Sequence, residues 1–310
     1  MQTVHFMESY QDMTVNIDEN APEIRFIRSI STGTCTAEDF FNPMTVYKDA
    51  VYVDAPNGRF TGLEEIGRFV DRWLEDFEAS KAEVYPVIQT VSGGRSVTEM
   101  EVWFHLKDTG DVKRVPMTVF ADLVSGGKME GMRIYYFFKF LPGAVAYRTP
   151  VFRPRVKKPA EPALMTGVMR YYYEQLHNFR SDEALENIMG MLTKDCRYGG
   201  YRPDEDEPLA VGKKEVRVHY EDICSNVPSK NYIRFETIID DGMRMAAEWT
   251  SIVTREGQLA GKMTFCGCAV YDRDPTETGK LRSIRINDNA GYDFGIDLNS
   301  IPEWNNFVDD

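Results

Sequence analysis

"GKMEGMRIYY" at residues 127–136 and "GKLRSIRIND" at residues 279–288 are the same short phrase written twice. Each runs glycine, lysine, an apolar residue and two spacers, then Met-Arg-Ile or Ile-Arg-Ile. The offset, 279 − 127 = 152 residues, is about half of the 310-residue chain. Three further pairs keep the same order. "YKDAVYVD" (47–54) parallels "TKDCRYGG" (193–200), 193 − 47 = 146 residues on. "FTGLEEI" (60–66) parallels "AVGKKEV" (210–216), 210 − 60 = 150 residues on. "PMTVF" (116–120) parallels "KMTFC" (262–266), 262 − 116 = 146 residues on. Phrases repeated in order, with offsets that drift as loops would, indicate an internal duplication.

Between the copies, "LPGAVAYRTPVFRPRVKKPAEP" (141–162) holds five prolines and a basic cluster. Proline removes a backbone donor and disfavours helix before itself, so this is a connecting segment. The expected division is a first domain at 1–140, a linker at 141–162, a second domain at 163–293 and a tail at 294–310. In copy one a short helix is expected at Thr36–Met44 and a strand at Ala50–Asp54, followed by an "APNG" turn. Thr61 and Glu64 are placed as a capping box for a helix to about Phe77, whose apolar face is Ile66, Phe69, Val70 and Trp73. Four strands follow, near 82–92, 95–107, 112–124 and 128–140, separated by "SGG", "DTGD" and "SGG". Copy two repeats the plan with a first helix at about 163–178. Helices and then a meander make an α+β chain: two tandem cone-shaped barrels, each a curved antiparallel sheet wrapped around helices.

With 43% hydrophobic and 12% aromatic residues, each half can bury a core. A net charge of −13 provides no basic field for nucleic acid or for an anionic membrane surface. The N-terminus lacks the basic start and apolar run of a signal peptide, and no apolar run is long enough to span a bilayer, so a cytoplasmic location is expected. The cysteines are scattered. Cys266 and Cys268 form a C-x-C pair, but nothing nearby completes a ligand set, so no metal site is expected and buried thiols are the better reading.

The segments "KDAVYVDAPNGRFTGLEEIGRFV" and "GKMEGMRIYYF", in this order and in duplicate, resemble the nuclear transport factor 2-like superfamily in its SnoaL-like and ketosteroid isomerase-like branch. That resemblance implies the cone fold and an apolar pocket at its mouth. The isomerases that this segment resembles carry a catalytic Asp at the end of the first strand, which here is Asp54. Desolvation in an apolar pocket raises a carboxyl's pKa and strengthens it as a proton acceptor. The competing reading of Asp54 is a turn former before Pro56 and Gly58. The isomerases' oxyanion donors are a helix Tyr and a protonated strand acid. Neither has a counterpart here: residues 22–31 contain no Tyr, and the strand position falls near Val119. Steroid isomerase activity is therefore not carried over. Tyr52 and Tyr136 are left as candidate donors.

Strand parity assigns the pocket wall, because alternate side chains share a face. Val102, Phe104 and Leu106 are expected to point inward, as are Val115, Met117, Val119 and Ala121, and Met132, Ile134 and Tyr136. Trp103, His105, Phe120 and Tyr135 then lie outside, and such an aromatic face marks packing against another domain or subunit. In copy two, Gly200 takes the place of Asp54. Its polar candidates are Tyr173 and His177 on the first helix, His219 in the place of Phe69, and Asp288 in the place of Tyr136. The resemblance implies that such a set could serve a dehydratase, while the bland reading of a core His is structural. The facing of Trp249 is ambiguous by one residue.

No nucleotide loop, P-loop, nucleophile elbow or metal motif is present. The expected function is a cofactor-independent lyase or isomerase acting on a hydrophobic ring-bearing small molecule, by proton transfer, elimination or retro-aldol cleavage. Its expected catalytic residues are Asp54, Tyr52, His219 and Tyr173, with a wall of Phe104, Met117, Val119, Tyr136, His177, Asp288 and Trp249. The alternative is a non-catalytic binding or scaffold protein of the same fold. Neither nucleic acid nor membrane is an expected partner, and a homo-oligomer is left open.

Overall fold

The computed structural model describes residues 6–13, 17–42, 50–143, 147–148, 151, 164–177, 181–199, 209–226, 231–255, 261–287 and 292–293. Gly200, Asp288, the tail and most of the expected linker lie outside them. The first half contains α1 (Phe6–Tyr10), α2 (Pro22–Ser31), α3 (Ala37–Phe40), β1 (Val51–Asp54), β2 (Gly58–Thr61), α4 (Leu63–Val70) and α5 (Trp73–Asp76). The long strands β3 (Ala79–Ser92), β4 (Arg95–Leu106), β5 (Val112–Val124) and β6 (Lys128–Tyr135) follow. After β7 (Tyr147–Arg148), the second half holds α6 (Val168–His177), α7 (Asp182–Gly190), β8 (Leu192–Tyr198), β9 (Ala210–Val211) and α8 (Lys213–Asn226). It closes with β10 (Asn231–Asp240), β11 (Arg244–Arg255), β12 (Gly261–Arg273), β13 (Leu281–Asn287) and β14 (Tyr292–Asp293).

The first sheet runs β2-β1-β6-β5-β4-β3 and the second β10-β11-β12-β13-β8-β9, with β14 pairing β12 and β7. The fold class is α+β, two sheets each curled around its own helices. Each sheet is mixed rather than wholly antiparallel, since β1 lies parallel to β6 and β8 parallel to β13. The intervening helices and meander supply the crossover that a parallel neighbour requires.

Helix α2 forms because Pro22 opens it and Ile24, Phe26, Ile27 and Ile30 put one apolar side on the sheet. The helix expected to run to Phe77 is broken at Asp71–Arg72 into α4 and α5. Gly62, not Thr61, stands at the N-cap, with φ 83° and no side chain to cap the helix. Instead Glu65, not Glu64, accepts the Thr61 backbone N–H at 2.7 Å. The second half repeats the device: Glu215 accepts from the Val211 N–H at 2.9 Å. Two glycines with positive φ, Gly93 and Gly94, turn β3 into β4, where Ser92 pairs with Arg95.

Strand parity holds in the first half except at Leu106, which is half-buried and stays outside the core. Val102, Phe104, Val115, Met117, Val119, Ala121, Met132, Ile134 and Tyr136 all enter its core. On the other side of the sheets, the outer faces of the two halves meet. Val53, Ala55, Val97, Phe120 and Tyr135 pack with Ile239, Ala246, Cys266, Cys268 and Val270. Trp103 departs from expectation. It stays half-buried beyond this seam, tilted against Tyr85 at 4.5 Å and under the Arg114 guanidinium at 4.6 Å. His105 is likewise partly exposed and meets Glu83 at 2.9 Å.

One pair of repeated phrases is out of register in space. Val119 pairs with Thr98 and Ile134, and the equivalent row in the second half is Ala247–Ala269–Ile286. "PMTVF" therefore superposes on residues 266–270, not on "KMTFC" at 262–266.

Candidate active site

Asp54 ends β1, paired with Ile134 of β6 on one side and Gly58 of β2 on the other. The turn that follows folds back onto it. Asn57 donates to Asp54 Oδ1 through its backbone N–H at 3.2 Å and its side-chain amide at 3.0 Å. Tyr136, one residue past the end of β6, donates its hydroxyl to the same oxygen at 2.7 Å. The other oxygen, Oδ2, is sealed from solvent and receives no donor among the described residues. No cation among the described residues ranks with burial in setting its charge. Burial therefore dominates and pushes its pKa up to about 7, against the lowering effect of the bonds from Tyr136 and Asn57.

Aromatic rings surround it. Tyr52, fully buried on the same strand face, packs against Phe26 at 5.7 Å and Phe69 at 5.2 Å, and its hydroxyl has no partner among the described residues. Phe77 lies 3.9 Å from Phe104 in a parallel stack and 5.5 Å from Tyr136. Met117 and Val119 complete the apolar wall. Burial and the nearby Asp54 charge both raise the pKa values of Tyr52 and Tyr136, so the two phenols stay protonated donors.

Two groups that the sequence reading did not assign to the site also face this region. Trp73, read as an apolar helix position, is fully buried, and its indole N–H has no partner among the described residues. Asp76, one turn on, is half-buried. Its Oδ2 accepts no hydrogen bond among the described residues and has only the looser approach of Arg72 at 3.7 Å. The Asp76 charge raises the pKa of Asp54, Tyr52 and Tyr136. An apolar periodicity hides an indole N–H, so Trp73 carried no signal. Asn57 did carry one, being three residues after Asp54 in a turn.

The second half is arranged differently. Tyr173 is buried and its hydroxyl meets that of Tyr271 at 2.8 Å, while Tyr172 pairs with Tyr220. His219 packs on Tyr198 at 4.3 Å as Phe69 packs on Tyr52 at 5.2 Å, so it holds the place of Phe69, but it is half-buried where Phe69 is buried. Trp249 faces inward, over Gly267 on the next strand. The His177 side chain and Asp288 lie outside the described residues, so the expected His–Tyr–Asp set is not assembled among them. Among the described residues no group of three or more His, Cys, Asp or Glu side chains is placed to hold a metal ion. No described helix is long and apolar enough to cross a membrane.

Solved structures similar to this chain include an NTF2-like protein from Anabaena variabilis, at 15% identity and TM-score 0.32, covering 38% of this chain and 84% of its own. An epoxide hydrolase/cyclase-like enzyme of pyran ring formation in the polyether salinomycin matches at 14% identity and TM-score 0.30, covering 41% and 88%. A protein with a ketosteroid isomerase-like fold from Catenulispora acidiphila matches at 21% identity and TM-score 0.31, covering 39% and 87%. No protein-family model matches the chain, and no curated protein does.

Proposed function

We propose that the first cone, in the domain 1–140, is the working site of a cofactor-independent lyase or isomerase that moves a proton on a hydrophobic, ring-bearing small molecule. The observation that carries this reading is the asymmetry of Asp54. A purely structural turn residue needs only Oδ1, which already holds Asn57 and Tyr136. It leaves unexplained a second oxygen, buried and bare among the described residues, on a carboxyl whose pKa near 7 suits a general base at neutral pH. Taking a proton from substrate carbon would form an O–H bond at Oδ2, and the C–H electron pair would pass into the substrate. Tyr136 would hold the carboxyl in place through Oδ1.

Among its described residues, the second cone, the domain 163–293, offers no comparable group. Its buried phenols are paired with one another, which suits a structural partner. A binding-only reading draws support from the completeness of the aromatic packing, since Asp54 has zero exposure.

Deuterium exchange separates the two readings. In D2O the protein should accelerate incorporation of deuterium at the α-carbon of a cyclic ketone such as 1-tetralone, followed by proton NMR. Asp54→Asn should lose roughly a hundredfold or more of that rate. An Asn variant as active as the parent removes Asp54 from the reaction.

A further inference from the structure

Among the buried hydrogen-bond donors of the first half that have no acceptor among the described residues, two, Tyr52 and Trp73, lie in the core around Asp54. Tyr52 sits two residues before Asp54 on the same face of β1, and its hydroxyl has no partner among the described residues. Trp73 opens α5. Its ring lies 5.5 Å from Phe77, which in turn lies 5.5 Å from the Tyr136 ring that holds Asp54. Buried indole N–H and phenol O–H groups ordinarily find a partner, because leaving one unpaired forfeits the hydrogen bond it made to water. Tyr136 cannot serve a ligand as well, for its hydroxyl proton is committed to Asp54. The donor capacity that remains is therefore Tyr52 Oη–H and Trp73 Nε1–H.

We infer that Tyr52 and Trp73 are the specificity donors of this site, and that its ligand is a ring compound presenting an acceptor oxygen to them. The inference rests on the proposed function for the location of the site, but it concerns recognition, not proton transfer. Walls of Phe, Met and Val accept any apolar ring of suitable size. Two unpaired donors do not, because an oxygen-free ring leaves both of them buried and unsatisfied. A site built around such donors rejects the analogue that lacks the matching group more strongly than an apolar wall can. Trp73 thus acts as a selector although its sequence context is that of a plain core residue.

The test compares 1-tetralone with tetralin, which differ by the carbonyl oxygen. In protein labelled with 15N at its four tryptophans, the Trp73 indole cross-peak is the one lost in Trp73→Phe. Tetralone should shift that peak and tetralin should not. Tetralone should bind Trp73→Phe and Tyr52→Phe about tenfold more weakly than the parent, with tetralin binding unchanged. Once the peak is assigned, its shift in the wild-type protein does not depend on the affinity of any variant. Equal affinity of the parent for ketone and hydrocarbon overturns the inference, as does tetralone binding that leaves the Trp73 peak in place or no tetralone binding at all. Asp54→Asn should keep tetralone binding, so a failure of the proton-transfer reading is distinguishable from a failure of this one.

Discussion

Arg133 and Arg285 occupy the same place in the repeated phrase, 285 − 133 = 152 residues apart, and each reaches across the seam to a glutamate of the other half. Arg133 clasps Glu248 at 2.8 Å and Arg285 clasps Glu99 at 2.6 Å. The pattern extends further: Arg133 also binds Asp122, which binds Arg95, while Arg285 binds Asp272, which binds Arg244. The two networks are equivalent, as the spacings 248 − 99 = 149, 272 − 122 = 150 and 244 − 95 = 149 require. The duplicated chain thus builds inside one molecule the reciprocal contact that two identical subunits would make.

Breaking this clasp on one side should be costly. Arg285 and its partners Glu99 and Asp272 are almost wholly buried, so Arg285→Met takes the clasping guanidinium from Glu99 and leaves Asp272 with that of Arg244. The expected loss is about 3–5 kcal/mol by urea unfolding at pH 7, and adding Glu99→Gln should recover part of it. A loss below about 1 kcal/mol would show that the network is solvated rather than sealed.

Asp54 should weaken the fold as pH rises. Its folded pKa of about 7 lies above the unfolded value, so between about 3.8 and 7 the folded state holds the proton that the unfolded state has released. Stability is fully present below that window and declines through it, by at most roughly 4 kcal/mol for three pKa units. Asp54→Asn should therefore be more stable than the parent at pH 8, with the advantage fading toward pH 4. A difference that is constant with pH would mean that Asp54 titrates normally.

Tyr136 lowers the pKa of Asp54 by donating to its anion. Tyr136→Phe should move the Asp54 titration to higher pH, as read by carboxyl 13C NMR. A downward shift would place the Tyr136 contribution elsewhere than in this bond.

Gly267 lies under Trp249, and a Cβ there would sit 2.9 Å from the indole Cζ2. Gly267→Ala must displace a buried ring, at an expected cost of about 1–3 kcal/mol. Trp249→Leu in the same chain should relieve it. If alanine alone is neutral, the ring is free to move and the second core is looser than its packing suggests.

How much of this was legible in the sequence follows from the range of each interaction. Period-two alternation is local, so the inward sets around Phe104, Met117 and Ile134 were readable, while Asp54 was reached only through the family resemblance of its segment. The register of "KMTFC" was not, because a strand of alternating small and apolar residues matches itself at even shifts; only its pairing with β11 and β13 decides. The arginine clasp was hidden for a related reason. Arg133 alternates to the outer face with Tyr135, yet its partner Glu248 is 115 residues away and on the other half. Trp73 was hidden because helical periodicity sees its ring and not its N–H.

The central claim is that the chemistry belongs to Asp54 in the first cone, and the pH dependence of 1-tetralone exchange tests it most directly. For the parent, the rate should rise with pH along an acidic limb with a midpoint near 7 and then level off. His219→Ala should keep that profile, and Asp54→Asn should flatten it at a rate lower by roughly a hundredfold or more. The opposite outcome, full exchange in the Asp54→Asn protein and none after His219→Ala, would move the active site to the second cone and leave the first as its structural partner.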